Sequence, residues 1–215
     1  MAEIFPRWSN DVPRYLGAAA LGFALLTAPG VWYYFSPEYS DVGYMPRQPV
    51  PFSHALHVGE LKMDCRYCHA SVELSPVATI PPTETCMNCH SLVSRDSDKL
   101  ALVFQSIETG EPIHWIRVHK IPDYAYFNHS VHFRSGIGCF SCHGNVAEME
   151  EIRQVEPLSM RWCLDCHRQP DEQLRPGDQV TNPAPSSVSD QIAFASGFRQ
   201  QHPIDPPTDC SGCHR

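Results

Sequence analysis

The sequence predicts short α-helices and loops packed around covalently held prosthetic groups, tethered by one N-terminal transmembrane helix. Three observations carry this expectation. All ten cysteines fall in five copies of Cys-x-x-Cys-His. The 215 residues leave about 43 per copy, and 20 are proline and 12 glycine, so the chain turns often and builds little regular structure. One uncharged apolar run, Tyr15 to Phe35, stands near the N-terminus.

The five copies pair Cys65 with Cys68, Cys86 with Cys89, Cys139 with Cys142, Cys163 with Cys166 and Cys210 with Cys213. Each is followed directly by a histidine: His69, His90, His143, His167 and His214. Two thiols at i and i+3 project from one turn of backbone, so both can form thioethers to a porphyrin's vinyl groups. The adjacent imidazole then lies under the iron as its proximal ligand. Zinc knuckles also use Cys-x-x-Cys, but they combine cysteine pairs in fours and give no reason for a histidine after every pair. The motifs therefore predict five covalently bound haem c, and a multihaem cytochrome c whose haems are its core. Attachment of this kind places the motifs outside the cytoplasmic membrane.

The formal charge is −8, to which each haem would add propionates, and this acidic balance excludes nucleic acid as a partner. Thirteen arginines stand against three lysines. Guanidinium forks suit carboxylates, so Arg66, Arg134, Arg161, Arg168 and Arg215, all close to motifs, are candidate propionate partners.

The run Tyr15 to Phe35 is long enough to cross a bilayer at 1.5 Å per residue. Arg7 and Arg14 precede it, and Glu38 and Asp41 follow, so the positive-inside rule puts the motifs on the periplasmic or extracellular side. Trp32, Tyr33 and Tyr34 would form an interfacial belt. A cleaved leader is the competing reading; the length of the run and Pro29 after Ala28 favour a retained anchor. The expected organisation is an anchor segment over 1–35, a linker over 36–50 and an extracytoplasmic pentahaem domain over 51–215.

Within that domain the chain repeats. Phe52-Ser53-His54-Ala55-Leu56-His57 precedes the motifs at Cys65 and Cys86, and Phe127-Asn128-His129-Ser130-Val131-His132 precedes those at Cys139 and Cys163. Two two-haem modules, about 51–95 and 126–170, plus a fifth haem at 210–214, describe the chain. Histidines at i and i+3 share one helical face, so His54, His57, His129 and His132 are candidate distal iron ligands. His119 is the first choice for the fifth distal position, with Met160, Met149, His114 and His202 open. Between the modules, Leu100, Val103, Phe104 and Ile107 make an amphipathic helix over 98–109, with Gly110 as its cap. Residues 171–201 carry no cysteine or histidine and read as a surface excursion laid across a partner subunit.

Phe-x-His-x-x-His ahead of Cys-x-x-Cys-His resembles the class III multihaem cytochromes c. The segments PVPFSHALHVGELKMDCRYCH, IPPTETCMNCH, WIRVHKIPDYAYFNHSVHF and LSMRWCLDCHR, behind one helix, are similar to the pentahaem subunit of alternative complex III. The resemblance covers about 43–170 and then the last motif. It implies a non-catalytic electron-transfer subunit of a quinol-oxidising respiratory or photosynthetic complex, passing electrons towards a periplasmic acceptor. It also implies as neighbours an iron–sulfur subunit, integral quinol-binding subunits and often a monohaem cytochrome c. The alternative is a stand-alone small membrane-anchored quinol dehydrogenase feeding a periplasmic reductase.

Spare histidines suffice to fill every distal site, so all five irons should be six-coordinate and low-spin. Electron paramagnetic resonance of the oxidised, haem-loaded protein should show no high-spin signal of full occupancy. Such a signal would replace the wire with a ligand-binding reductase.

Overall fold

A computed structural model describes residues 5–183 and 188–214. They divide between Ser40 and Asp41 into two compact units. Helix and irregular loop dominate; among the described residues, pairing between extended segments is confined to the single bridges Ala125–His214 and Ile137–Leu174.

The first unit is built on α1, Val12–Tyr34, which starts with Pro13 in its first turn, where a missing N–H costs nothing. Pro29 lies inside it. This helix is long and apolar enough to cross a membrane, and none of its residues is buried. At its end the turn Pro37–Ser40 folds back, bringing Tyr39 to 4.7 Å from the Tyr34 ring.

In the second unit, four of the five motifs open on their own helical turn: α2 (Cys65–Cys68), α3 (Thr83–His90), α7 (Met160–Arg168) and α9 (Cys210–Cys213). At the third, Cys139 caps α6 (Phe140–His143). Local capping explains why turns this short hold. Asp64 accepts from the Arg66 N–H, Ser159 from Trp162 and Asp209 from Gly212, each satisfying a donor that the helix leaves free. The expected amphipathic helix forms as a 3₁₀ turn, Asp98–Leu100, running into α4, Ala101–Thr109. Val103 is buried, and Gly110 ends it in the left-handed region at φ 73°.

The two Phe-x-His-x-x-His segments adopt different backbones. The second is α5, His129–Arg134, capped by Asn128, whose Oδ1 accepts from the N–H groups of Ser130 and Val131. The first is a wider π-type turn, Ala55–Glu60, which packs on the 3₁₀ turn Val146–Glu148. Gly59 permits that approach: a Cβ there would collide with the Ala147 carbonyl oxygen.

The apolar core is small. Among the described residues seven hydrophobic side chains are buried: Val50, Val103, Val118, Met149, Leu174, Val180 and Ala195. A folded protein of this mass exposes about 10,000 Å², yet this chain exposes 15210 Å². Part of the excess is α1. In the second unit Leu74, Ile80 and Leu92 are exposed as well.

The expectation of a surface excursion over 171–201 is corrected. Leu174, Val180 and Ala195 in that segment are among the most deeply buried residues described, and α8, Gln191–Gln201, packs on the turn Pro170–Gln173. The Gln191 amide donates to the carbonyls of Asp171 and Leu174, and Arg199 pairs with Asp171 at 3.0 Å. The described part of this segment, 171–183 and 188–201, thus supplies three of the seven buried apolar side chains.

Replacing Asn128 by Ala should cost about 1 kcal/mol in chemical denaturation, while Asn128→Asp, which keeps the acceptor, should lose far less. Equal losses would show that the cap does not hold α5.

Candidate haem-ligating site

An imidazole that ligates a metal through Nε2 is held by a hydrogen bond from its Nδ1–H, which fixes both tautomer and orientation. Among the described residues seven histidines meet this requirement with a backbone carbonyl as acceptor. His69 Nδ1 lies 2.8 Å from the Thr79 oxygen, His90 3.0 Å from Val93, His167 2.7 Å from Pro207 and His214 3.1 Å from Tyr124. Those are four of the five motif histidines. Among the predicted distal ligands, His57 reaches Ser53 at 2.8 Å, His129 reaches Pro76 at 2.9 Å and His132 reaches Asn128 at 2.8 Å.

The repeat is also a repeat of geometry. Phe52 meets His54 edge-on at 4.8 Å and stacks on His57 at 4.4 Å; Phe127 meets His129 edge-on at 4.7 Å and tilts over His132 at 4.5 Å. In both copies the phenyl ring fixes the second imidazole's plane while the carbonyl at i−4 fixes its tautomer. The role of the phenylalanine was legible as part of the repeat but not as a ring support.

Two imidazoles on opposite sides of one metal, each bonded at about 2 Å, have ring centres about 6 Å apart. His57 and His90 stand 6.2 Å apart, and His132 and His167 stand 6.1 Å apart. Both pairs join a predicted distal ligand to a motif histidine. His129 and His143 are 6.5 Å apart with nearly parallel rings. His54, His69, His119, His129 and His143 form one cluster, with His119 Nε2 only 3.3 Å from His143 Nδ1. Within that cluster His54 is distinct: its Nδ1 is buried with no partner among the described atoms.

Burial keeps these rings neutral, which is the form that binds a metal. It pulls His143 down to about 3, helped by His119 and His129, and His54 down to about 4, helped by His69. His119 and His132 are lowered for the same first reason. Among the described residues no three His, Cys, Asp or Glu side chains converge on one point to close around a bare ion. Imidazoles that come in pairs, beside cysteines that come in pairs, fit an iron whose remaining ligands arrive with a porphyrin. All ten thiols are unpaired in disulfides, with each motif's two cysteines three residues apart on helical backbone.

The other candidates are placed elsewhere. His114 lines a cleft of about 580 Å³ with Ile80, Glu84, Ile107 and Trp115. His202 lies on Phe198 at 4.5 Å, Met149 is buried beside the first histidine turn, and Met160 is exposed at the start of α7. His214 lies beside Tyr124, ring centres 5.8 Å apart. Of the arginines, Arg66 is held by Asp64 at 2.8 Å and Glu73 at 3.0 Å, so its fork already has carboxylates; it holds Asp64 down to about 2. Arg161 and Arg168 flank Asp165 at 3.7 and 3.9 Å, and Arg215 lies outside the described residues.

The chain matches no known protein-family profile. Over 130 residues it is 32% identical to the multihaem cytochrome c subunit of menaquinone reductase from Nitratidesulfovibrio vulgaris, covering 59% of each protein. The chain thus spans about three-fifths of that relative's length. The likeness supports a multihaem cytochrome c linked to quinone electron transfer; it does not reach the finer resemblance to alternative complex III.

Replacing His57 or His132 by Ala should convert one haem each to high spin while leaving every covalent attachment in place. If both variants stay fully low-spin by electron paramagnetic resonance, these imidazoles are not ligands.

Proposed function

We propose that this chain is the pentahaem electron-transfer subunit of a membrane-bound quinol:electron-acceptor oxidoreductase of the alternative complex III kind. The observation that carries the reading is the pairing of His57 with His90 and of His132 with His167, each 6.1 to 6.2 Å apart with both Nδ1 atoms held by carbonyls. Bound at the five motifs, haem supplies a one-electron iron couple at each site.

The chain's own residues supply attachment, orientation and exclusion. The cysteine pairs fix each porphyrin edge. His69, His90, His143, His167 and His214 take the proximal positions. His54, His57, His129 and His132 take four distal positions, and His119, beside His143, is drawn into the same cluster. An iron held between a motif histidine and one of these second imidazoles would offer no position to oxygen or nitrite, which suits conduction rather than chemistry on small molecules. α1 anchors the haem unit to the cytoplasmic membrane, with Arg7 and Arg14 inside and Glu38 and Asp41 outside. Partners are an iron–sulfur subunit, integral quinol-binding subunits and a monohaem cytochrome c.

A second reading rests on the relative's name: in a menaquinone reductase the same wire would deliver electrons to the quinone instead of taking them from it. The stand-alone quinol dehydrogenase is the less favoured third, because quinol oxidation needs a proton acceptor near the membrane. Ala18 to Leu26 of α1 has no ionisable group.

The complete membrane complex should reduce these haems with quinol, followed in the visible absorption bands, whereas the purified subunit in detergent should respond only to small reductants. Rapid quinol reduction of the isolated subunit would move the quinol site into this chain. A complex whose haems instead pass electrons to menaquinone would favour the second reading.

A further inference from the structure

The motifs touch one another in a fixed succession that differs from their order along the chain. The second motif meets the first: Asn88 Nδ2 donates to the Tyr67 hydroxyl at 3.0 Å, and Cys68 and Cys86 are electrostatic neighbours. The first meets the third on a common strip of backbone, with Cys65 Sγ 3.7 Å from the Thr181 oxygen and the Cys139 N–H donating to Val180 at 3.0 Å. Their two thiols are electrostatic neighbours. His129 adds to this junction, hydrogen-bonded to Pro76 beside the first motif and lying 6.5 Å from His143 of the third.

One short helix joins the third motif to the fourth: α5 turns His129 towards His143 and His132 towards His167. Cys142 correspondingly neighbours Cys163 and Cys166. The fourth meets the fifth where His167 Nδ1 reaches the Pro207 carbonyl, the residue against which Gly212 is packed. Cys163 neighbours Cys213 there.

We infer that the five haems stand in space in the order second, first, third, fourth, fifth motif, so that the haem of Cys86 and Cys89 is one end of the wire and that of Cys210 and Cys213 the other. This rests on the five-haem reading and deepens it. Electrons that enter at one end must pass the junction of Cys65 with Cys139, where the two modules meet. The two-haem modules are thus joined through their first motifs, not placed end to end. A docking partner that exchanges electrons by the shortest route faces the second or the fifth motif. The first motif, although nearest the anchor in sequence, is an interior relay.

The test uses the haem-loaded membrane complex and two variants of it. In each variant one haem is lost and four remain, and the power saturation of the ferric low-spin signals is measured by electron paramagnetic resonance. Cys65→Ala with Cys68→Ala removes the first haem and should leave the second magnetically isolated, so one quarter of the remaining signal saturates at lower power. Cys86→Ala with Cys89→Ala removes an end and should isolate none. The reverse pattern, isolation only in the second variant, is what a wire in chain order gives and would overturn the inference. Where a variant fails to fold, the iron positions in a cryo-electron microscopy map of the unaltered complex decide. The iron held by His69 should have those of His90 and His143 as its two nearest neighbours. An iron at His90 lying nearest to that of His143 or His167 overturns the order. A chain lacking covalent haem fails the functional reading instead.

Discussion

An imidazole that binds a metal through one nitrogen is best oriented when its other nitrogen is held, and seven of the ten candidate ligand histidines in the second unit meet that demand with a carbonyl. Among the described residues seven histidines donate Nδ1–H to a backbone carbonyl, and four of those carbonyls, Thr79, Pro76, Pro207 and Tyr124, lie 10 to 90 residues away along the chain. Two of the four are prolines. A proline carbonyl sits on a backbone whose φ is fixed and which has no N–H to satisfy, so it makes a rigid acceptor in an irregular loop. The abundance of proline is thereby tied to ligand orientation as well as to turning the chain. In place of a hydrophobic core, the loops are positioned by what they must accept.

The repeated Phe-x-His-x-x-His unit shows which part of a motif is physical. One copy is an α-helix with an asparagine cap, the other a π-type turn pressed against Ala147. Helical geometry is not what is common to them. The common elements are the phenyl ring stacked under the second imidazole and the carbonyl four residues back. The outcome is the same in both: the second histidine meets the histidine of a motif some 33 to 35 residues later, His57 with His90 and His132 with His167.

What could be read from the sequence was what is encoded at short spacing. The five motifs, the histidine pairs, the apolar helix and the amphipathic stripe from Leu100 to Ile107 all depend on residues within a few positions of each other. The Nδ1 acceptors were not legible, since His214 and Tyr124 are 90 residues apart and His167 and Pro207 are 40 apart. The placement of His119 against His143 has no local signal either. The burial of Leu174 and Val180 was missed because a segment rich in Pro, Ser and Gln gives no periodic pattern, although a few well-placed apolar residues suffice to fill a small core. The order of the motifs in space is a property of long-range contacts alone, so no count of spacings could supply it.

The central claim is that the ten cysteines and five motif histidines hold five covalent haems rather than metal ions or free thiols. Intact mass spectrometry of the purified chain under denaturing conditions tests it most directly. The account predicts a polypeptide heavier than its sequence by five haem groups, with no thiol left to alkylate. A mass equal to the polypeptide alone, with all ten cysteines open to alkylation, would contradict it.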